Sequence, residues 1–100
     1  MAQQEFILIE TLCTHYEIEV SFVDSLYDLG LLEIHTIEHT RYIPEEKVTD
    51  LERMIRIHQD LEVNPEGIDV IFNLLRKVDD LKNELAITKN RLRQYELGNQ

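Results

Sequence analysis

EIEVSFVDSLYDLGLL, residues 17–32, decides the fold. Apolar side chains recur within it at Phe22, Val23, Leu26 and Leu29, the spacing of one helical face, and Gly30 follows where a helix ends in the left-handed conformation. The spacing predicts a helix over about 20–29. Upstream, residues 6–9 form a short β-rich run, and residues 10–16 read as a short helix that turns Leu12, Cys13 and Tyr16 inward, with Ile18 marking a tight connection. Two short helices joined in this way make a helix-turn-helix. Downstream, residues 31–34 and 40–43 are strand candidates on either side of the polar stretch 35–39, which reads as a small hairpin or wing.

Pro44 suits the first turn of a third helix, Glu45 and Glu46 fit its positive end, and Val48, Leu51, Met54, Ile55, Ile57 and Leu61 supply its apolar face. Asn64 and Pro65 then form a start signal for a fourth helix, as N-cap and first helical residue, and nothing stops it before Gly98. At 1.5 Å rise per residue this helix would extend about 50 Å, longer than a domain of this size is wide, so its far end is expected to project. Along it Ile71, Leu74, Val78, Leu81, Leu85, Thr88, Leu92 and Tyr95 alternate steps of three and four, the a and d positions of heptads. Phe72 and Leu75 lie beside the start of this seam and are expected to pack on the globular domain. Beyond Leu81 the flanks become Lys82, Asn83, Glu84, Lys89, Asn90, Arg91 and Arg93. A single apolar stripe on a polar helix is buried most economically against another helix, so a homodimer through residues 71–95 is expected. The alternative is a long helix folded back on its own domain.

The chain of 100 residues, 43% hydrophobic, has material for one modest core. Its net charge is -10 and unevenly spread. Residues 1–40 contain eight acids, Glu5, Glu10, Glu17, Glu19, Asp24, Asp28, Glu33 and Glu38, and no Lys or Arg, whereas the rest sets ten cations against twelve acids. Nucleic-acid binding draws most of its affinity from cations that displace phosphate counterions, and a segment without any repels DNA. A basic protein partner fits the first part better.

The opening MAQQEFILIE has a four-residue apolar run and no basic leader, so neither a signal peptide nor a membrane span is expected. A lone Cys13 agrees with a reducing, cytoplasmic setting and reads as a small buried residue. Of His15, His35, His39 and His58, the closest pair is His35 and His39, but in a turn their spacing does not converge and no third ligand suggests itself. No nucleophile motif, phosphate-binding glycine loop or paired carboxylates occur, so no enzymatic activity, metal or cofactor is expected.

Residues 17–32 resemble, without gaps, the winged helix-turn-helix of MerR-type regulators, whose pattern runs approximately GVSPRTIRYYEEIGLL. Ile18, Val23, Leu26, Leu29, Gly30, Leu31 and Leu32 occupy the positions of that family's core and glycine turn, and Arg41 with Ile43 resembles its YRxY wing signature, Thr40 and Ile43 replacing the tyrosines. The departures fall on DNA-contacting positions. Ser21 and Asp24 stand where such recognition helices commonly place arginines, and Ser25 stands for a tyrosine. An Asp in place of a phosphate-contacting Arg adds repulsion to lost attraction.

A short MerR-like domain followed by a terminal helix rich in Leu and Arg is similar, over nearly the whole chain, to the CbpM chaperone-modulator family. Pro65, Gly67 and Ile68 in NPEGIDV echo the family's PGI, and DDLKNELAITKNRLRQ echoes its Leu-Lys/Arg helix. The resemblance implies a protein that binds the J-domain of a DnaJ/CbpA-like co-chaperone and inhibits its cooperation with Hsp70, without a catalytic step. J-domains present a basic helix to the acidic Hsp70, and an acidic surface could compete for it.

The expected fold is therefore mainly α, a MerR-like winged helix-turn-helix over 1–64 with a small β-wing, followed by a long helix over 65–98 whose distal half is a dimerisation coiled coil. Partner contacts are expected at Asp24 and Asp28, four residues apart on one helix face, at Glu17 and Glu19 as steering charges, and at Tyr27 as an amphipathic anchor. Dimer contacts are expected at Ile71, Leu74, Val78, Leu81, Leu85, Leu92 and Tyr95. Two competing readings are a MerR-like DNA-binding transcriptional regulator, for which Arg41, Lys47, Arg53 and Arg56 could touch the DNA backbone, and a dimeric adaptor for an unrelated partner.

Overall fold

A computed structural model describes residues 4–98. In chain order its elements are β1 (Phe6–Leu8), α1 (Ile9–Tyr16), α2 (Val20–Asp28), β2 (His35–Ile37), β3 (Thr40–Pro44), a 3-10 turn (Glu45–Lys47), α3 (Val48–Leu61) and α4 (Pro65–Gly98). The chain divides into two units, one ending at Asp69 and the other beginning at Val70, so the first turn of α4 belongs to the first unit.

The apolar periodicity of α2 is realised as burial: Phe22, Val23 and Leu26 turn inward together. They meet Ile9, Leu12 and Cys13 of α1, Leu51, Met54 and Ile55 of α3, Ile68 of α4, and Leu32 and Ile43 from the connecting segments and the sheet in one core. Each fully buried Leu, Ile or Val there contributes about 1.5–3 kcal/mol. Gly30, at φ 78, ends α2 as expected, and the Leu31 amide donates to the Leu26 carbonyl at 2.9 Å.

The sheet is antiparallel in the order β1-β3-β2. Ile43 faces Ile7 across one pairing, and Thr36 faces Arg41 across the other. Arg41 and Ile43 point to the same face of β3; Ile43 enters the core and Arg41 reaches α2.

Two expectations need correction. Residues 31–34 are not a strand; β2 lies further on, at His35–Ile37. The hairpin closes through a two-residue turn at Glu38 and His39, both left-handed at φ 49 and 65, which pairs Ile37 with Thr40 and leaves residues 31–34 as the connection, with Leu32 buried. Such turns are usually signalled by Asn-Gly or Asp-Gly, and no such pair occurs here. Pro44, in turn, is the last residue of β3 and not the opening of a helix. The Glu45 amide donates to the Glu5 carbonyl at 2.8 Å, which prolongs the ladder with β1, and a 3-10 turn intervenes before α3 begins at Val48.

Asn64 and Pro65 behave as their chemistry predicts. The Gly67 amide donates to Asn64 Oδ1 at 2.8 Å, closing the N-terminus of α4. Gly67 is needed for close approach, since a Cβ there would lie 2.6 Å from Val63 Cγ1. Just before this turn, the His58 ring stacks on Phe22 with centroids 4.4 Å apart, its Nδ1 donates to the Val63 carbonyl at 2.7 Å, and Gln59 Nε2 donates to the Tyr16 carbonyl at 3.3 Å. The C-terminal end of α3 is thereby held to α1 and α2.

Candidate functional site

Because α2 buries Phe22, Val23 and Leu26, helical geometry turns Ser21, Asp24, Ser25 and Asp28 outward. Val20 and Tyr27, seven residues apart, flank this face on one side, and Tyr27 is half exposed. The Ser25 hydroxyl donates to the Ser21 carbonyl one turn back, and the Ser21 hydroxyl donates to Glu19 Oε2 at 3.2 Å. The face is short, polar and acidic.

The Asp24 carboxylate forms an ion pair with Arg41 of β3. Arg41 is the only Lys or Arg among residues 1–46, so the pair engages the one cation in this part of the chain and ties wing to helix. The two side chains remain 39% and 46% exposed, which makes the link a surface pair worth under about 1 kcal/mol. Beneath it lies Cys13. Burial, and next the Asp24 carboxylate, push its thiol pKa up, while Arg41 pulls it down less strongly. The thiol therefore stays protonated at neutral pH and is a poor nucleophile.

Of the five expected partner contacts, Asp24, Tyr27 and Asp28 share α2, and Glu17 and Glu19 sit on the connection that leads into it. Glu17 caps α1 in the left-handed conformation at φ 55, a position that favours Gly. Its carboxylate also stands at the negative end of α1, and Asp28, the last residue of α2, stands at the negative end of that helix. Local structure disfavours an acid at both places. The capture of Arg41 by Asp24 is the contact that sequence reasoning missed; the only signal was a lone cation in an acidic stretch, with nothing to say which acid it meets.

His35 and His39 are separated, the first in β2 and the second in the turn. His35 Nε2 lies 3.2 Å from a Glu33 oxygen without hydrogen-bond geometry. Among the described residues no group of three or more His, Cys, Asp or Glu side chains is arranged to hold a metal ion, and no helix is long and apolar enough to cross a membrane.

The second unit presents a different surface. Leu74, Val78, Leu81, Leu85, Leu92 and Tyr95 are all exposed along α4, Leu81 at 63% and Tyr95 at 69%, while Ile71 is partly covered. Val70, Leu75, Ile87 and Leu97 are exposed apolar residues outside the heptad seam.

A sequence model of the family described as MerR HTH family regulatory protein matches residues 7–90. The chain is 30% identical over 91 residues, 85% of each chain, to the chaperone modulatory protein CbpM of Pseudomonas entomophila. It is 29% and 26% identical over the same length and the same shares to CbpM proteins from two strains of Pseudomonas putida. No solved structure matches.

Proposed function

Since the chain belongs to the MerR helix-turn-helix family and, within it, to the CbpM chaperone modulators, we propose that it is a non-enzymatic modulator of a DnaJ/CbpA-like co-chaperone. It binds the J-domain through the acidic surface around α2 and inhibits the co-chaperone's cooperation with Hsp70. It works in the cytoplasm as a homodimer joined through the seam of α4.

The observation that carries this reading is the sign of the charge on a helix that the family otherwise uses to read DNA. Ser21, Asp24 and Asp28 face outward, and Arg41, the cation nearest to them in the chain, is engaged by Asp24. A phosphate backbone would meet repulsion there, whereas the basic helix of a J-domain would meet complementary charge. Glu17 and Asp28 strengthen the case, because each retains a carboxylate at a helix end where local structure disfavours it. Tyr27, half exposed beside Asp24 and Asp28, supplies the aromatic contact that interfaces favour. The division of labour follows from the pairing: Asp28, Glu17 and Glu19 offer charge that Arg41 does not balance, Glu19 while accepting from the Ser21 hydroxyl, and Asp24 offers a charge already balanced by Arg41.

Calorimetric titration with the J-domain of the co-chaperone encoded in the same genome tests the reading. A Glu19→Lys, Asp28→Lys variant, which leaves the Asp24–Arg41 pair intact, should bind at least tenfold more weakly, and added salt should narrow the difference. Unchanged binding by the variant would remove the acidic face from the mechanism. A tight, salt-sensitive electrophoretic shift of genomic DNA, with no J-domain binding, would return the protein to the DNA-binding regulators.

A further inference from the structure

Resting on the acidic-face reading above, we propose that Arg41 is an internal competitor for the partner. Its guanidinium occupies the Asp24 carboxylate that a cation of the J-domain takes over on binding, so the wing sets the affinity of the face. Asp24 is the central charge of that face. Ser21 lies one turn before it, Ser25 beside it and Asp28 one turn after it, and the two serines are neutral. A basic helix laid along α2 therefore meets Asp24 midway and finds it already paired.

The surroundings of the pair allow the exchange. Both side chains are more than a third exposed, so an incoming cation reaches the carboxylate from solvent without opening the core. Surface pairs of this kind are weak, and separating one strands no buried charge. On the sheet the neighbours of Arg41 are uncharged: Thr36 stands opposite it, and Ile43 is the next residue on its face of β3. Ile43 is fully buried, which anchors β3 when the arginine lets go. One cation replaces another on one carboxylate, and no proton moves.

A competitor of this kind lowers apparent affinity according to the fraction of molecules it leaves open, and a weak pair leaves a minority open. In calorimetric titrations of the full chain with the J-domain, Arg41→Gln should therefore bind about three- to fivefold more tightly than the wild type. Arg41→Lys keeps the cation and should stay near the wild type. Lys47→Gln, in the 3-10 turn beyond the other end of β3, makes the same change in net charge and should stay within about twofold of the wild type. In an Asp24→Asn background the gain from Arg41→Gln should shrink, since the carboxylate competed for is gone. A further readout needs no substitution: in 15N relaxation the Arg41 Nε–H, restrained by Asp24 in the free chain, should gain mobility once the J-domain saturates the face. Unchanged or weaker binding by Arg41→Gln, an equal gain in Lys47→Gln or in the Asp24→Asn background, or an Arg41 side chain as restrained in the complex as in the free chain overturns the competition and leaves the acidic face standing. A wild-type chain that does not bind the J-domain overturns the acidic-face reading, and the competition with it.

Discussion

Leu26 and Leu85 occupy equivalent places in two helices with the same kind of apolar periodicity, yet Leu26 is 0% exposed and Leu85 is 55% exposed. In α2 the stripe is answered by α1, α3 and the sheet, all supplied by the same chain. Over residues 74–95 of α4 the stripe meets solvent. Hydrophobic periodicity therefore states that a face is to be covered and leaves open by what. The covering makes the energetic difference: burial within one chain stabilises at any concentration, whereas burial against a second copy follows mass action.

The largest expected effects break this comparison from its two ends. Leu26→Ala removes a fully buried side chain from the first unit and should cost about 2–5 kcal/mol of unfolding free energy, independent of protein concentration. Leu81→Glu with Leu85→Glu should do the reverse. It puts charges on a face already exposed in the single chain, so the folded first unit should persist while sedimentation shows monomer across the concentration range. A double variant that remains dimeric would move the interface off α4.

The Asp24–Arg41 pair sharpens the comparison within the first unit, because it is polar, part-exposed and long-range in sequence. Asp24→Asn should lower stability by less than about 1 kcal/mol, with salt shrinking the difference, since the pair is screened and both side chains are more than a third exposed. Its more informative consequence is for charge. With Asp24 neutral, Arg41 is no longer offset, and weak nonspecific DNA retention at low salt should increase relative to the wild type. No change in retention would mean that Arg41 is unable to reach a phosphate even when unpaired.

These contrasts also explain what was legible in the chain. Helices announced themselves through periodicity and end signals: Gly30 and Asn64–Pro65 mark ends that the structure reproduces. The wing was harder. Its turn places Glu38 and His39 at positive φ without the Asn or Gly that usually reveals one, so the first strand of the hairpin falls at His35–Ile37 and not at residues 31–34. Pro44 misled for a related reason: its fixed φ suits a strand end as well as a helix start, and the strand end is continued by the bond from the next residue, Glu45, to the Glu5 carbonyl, 40 residues from Glu45 in sequence. Of the acidic surface, residue identity and face were readable from spacing alone. The Asp24–Arg41 pair was not, because it depends on how far β3 carries a side chain toward α2.

The smallest predicted effect lies where the sheet meets the 3-10 turn. The same Glu5–Glu45 closure that delays α3 brings the two carboxyl groups together, and the hydrogen bond to Glu5, followed by its negative charge, raises the Glu45 pKa above the ordinary carboxylate value. A carboxyl whose pKa is raised on folding favours the folded state when it is protonated, and that contribution is lost as pH rises through the raised value. Once ionised, Glu45 faces the negative charge of Glu5 across exposed surface. Glu45→Gln keeps a donor for the Glu5 carboxylate and removes that repulsion, so the variant should unfold at a slightly higher temperature than the wild type near pH 7, and the gap should close as pH falls into the carboxylate range. A gap that widened on acidification would show that the Glu45 carboxylate is held by a favourable contact instead.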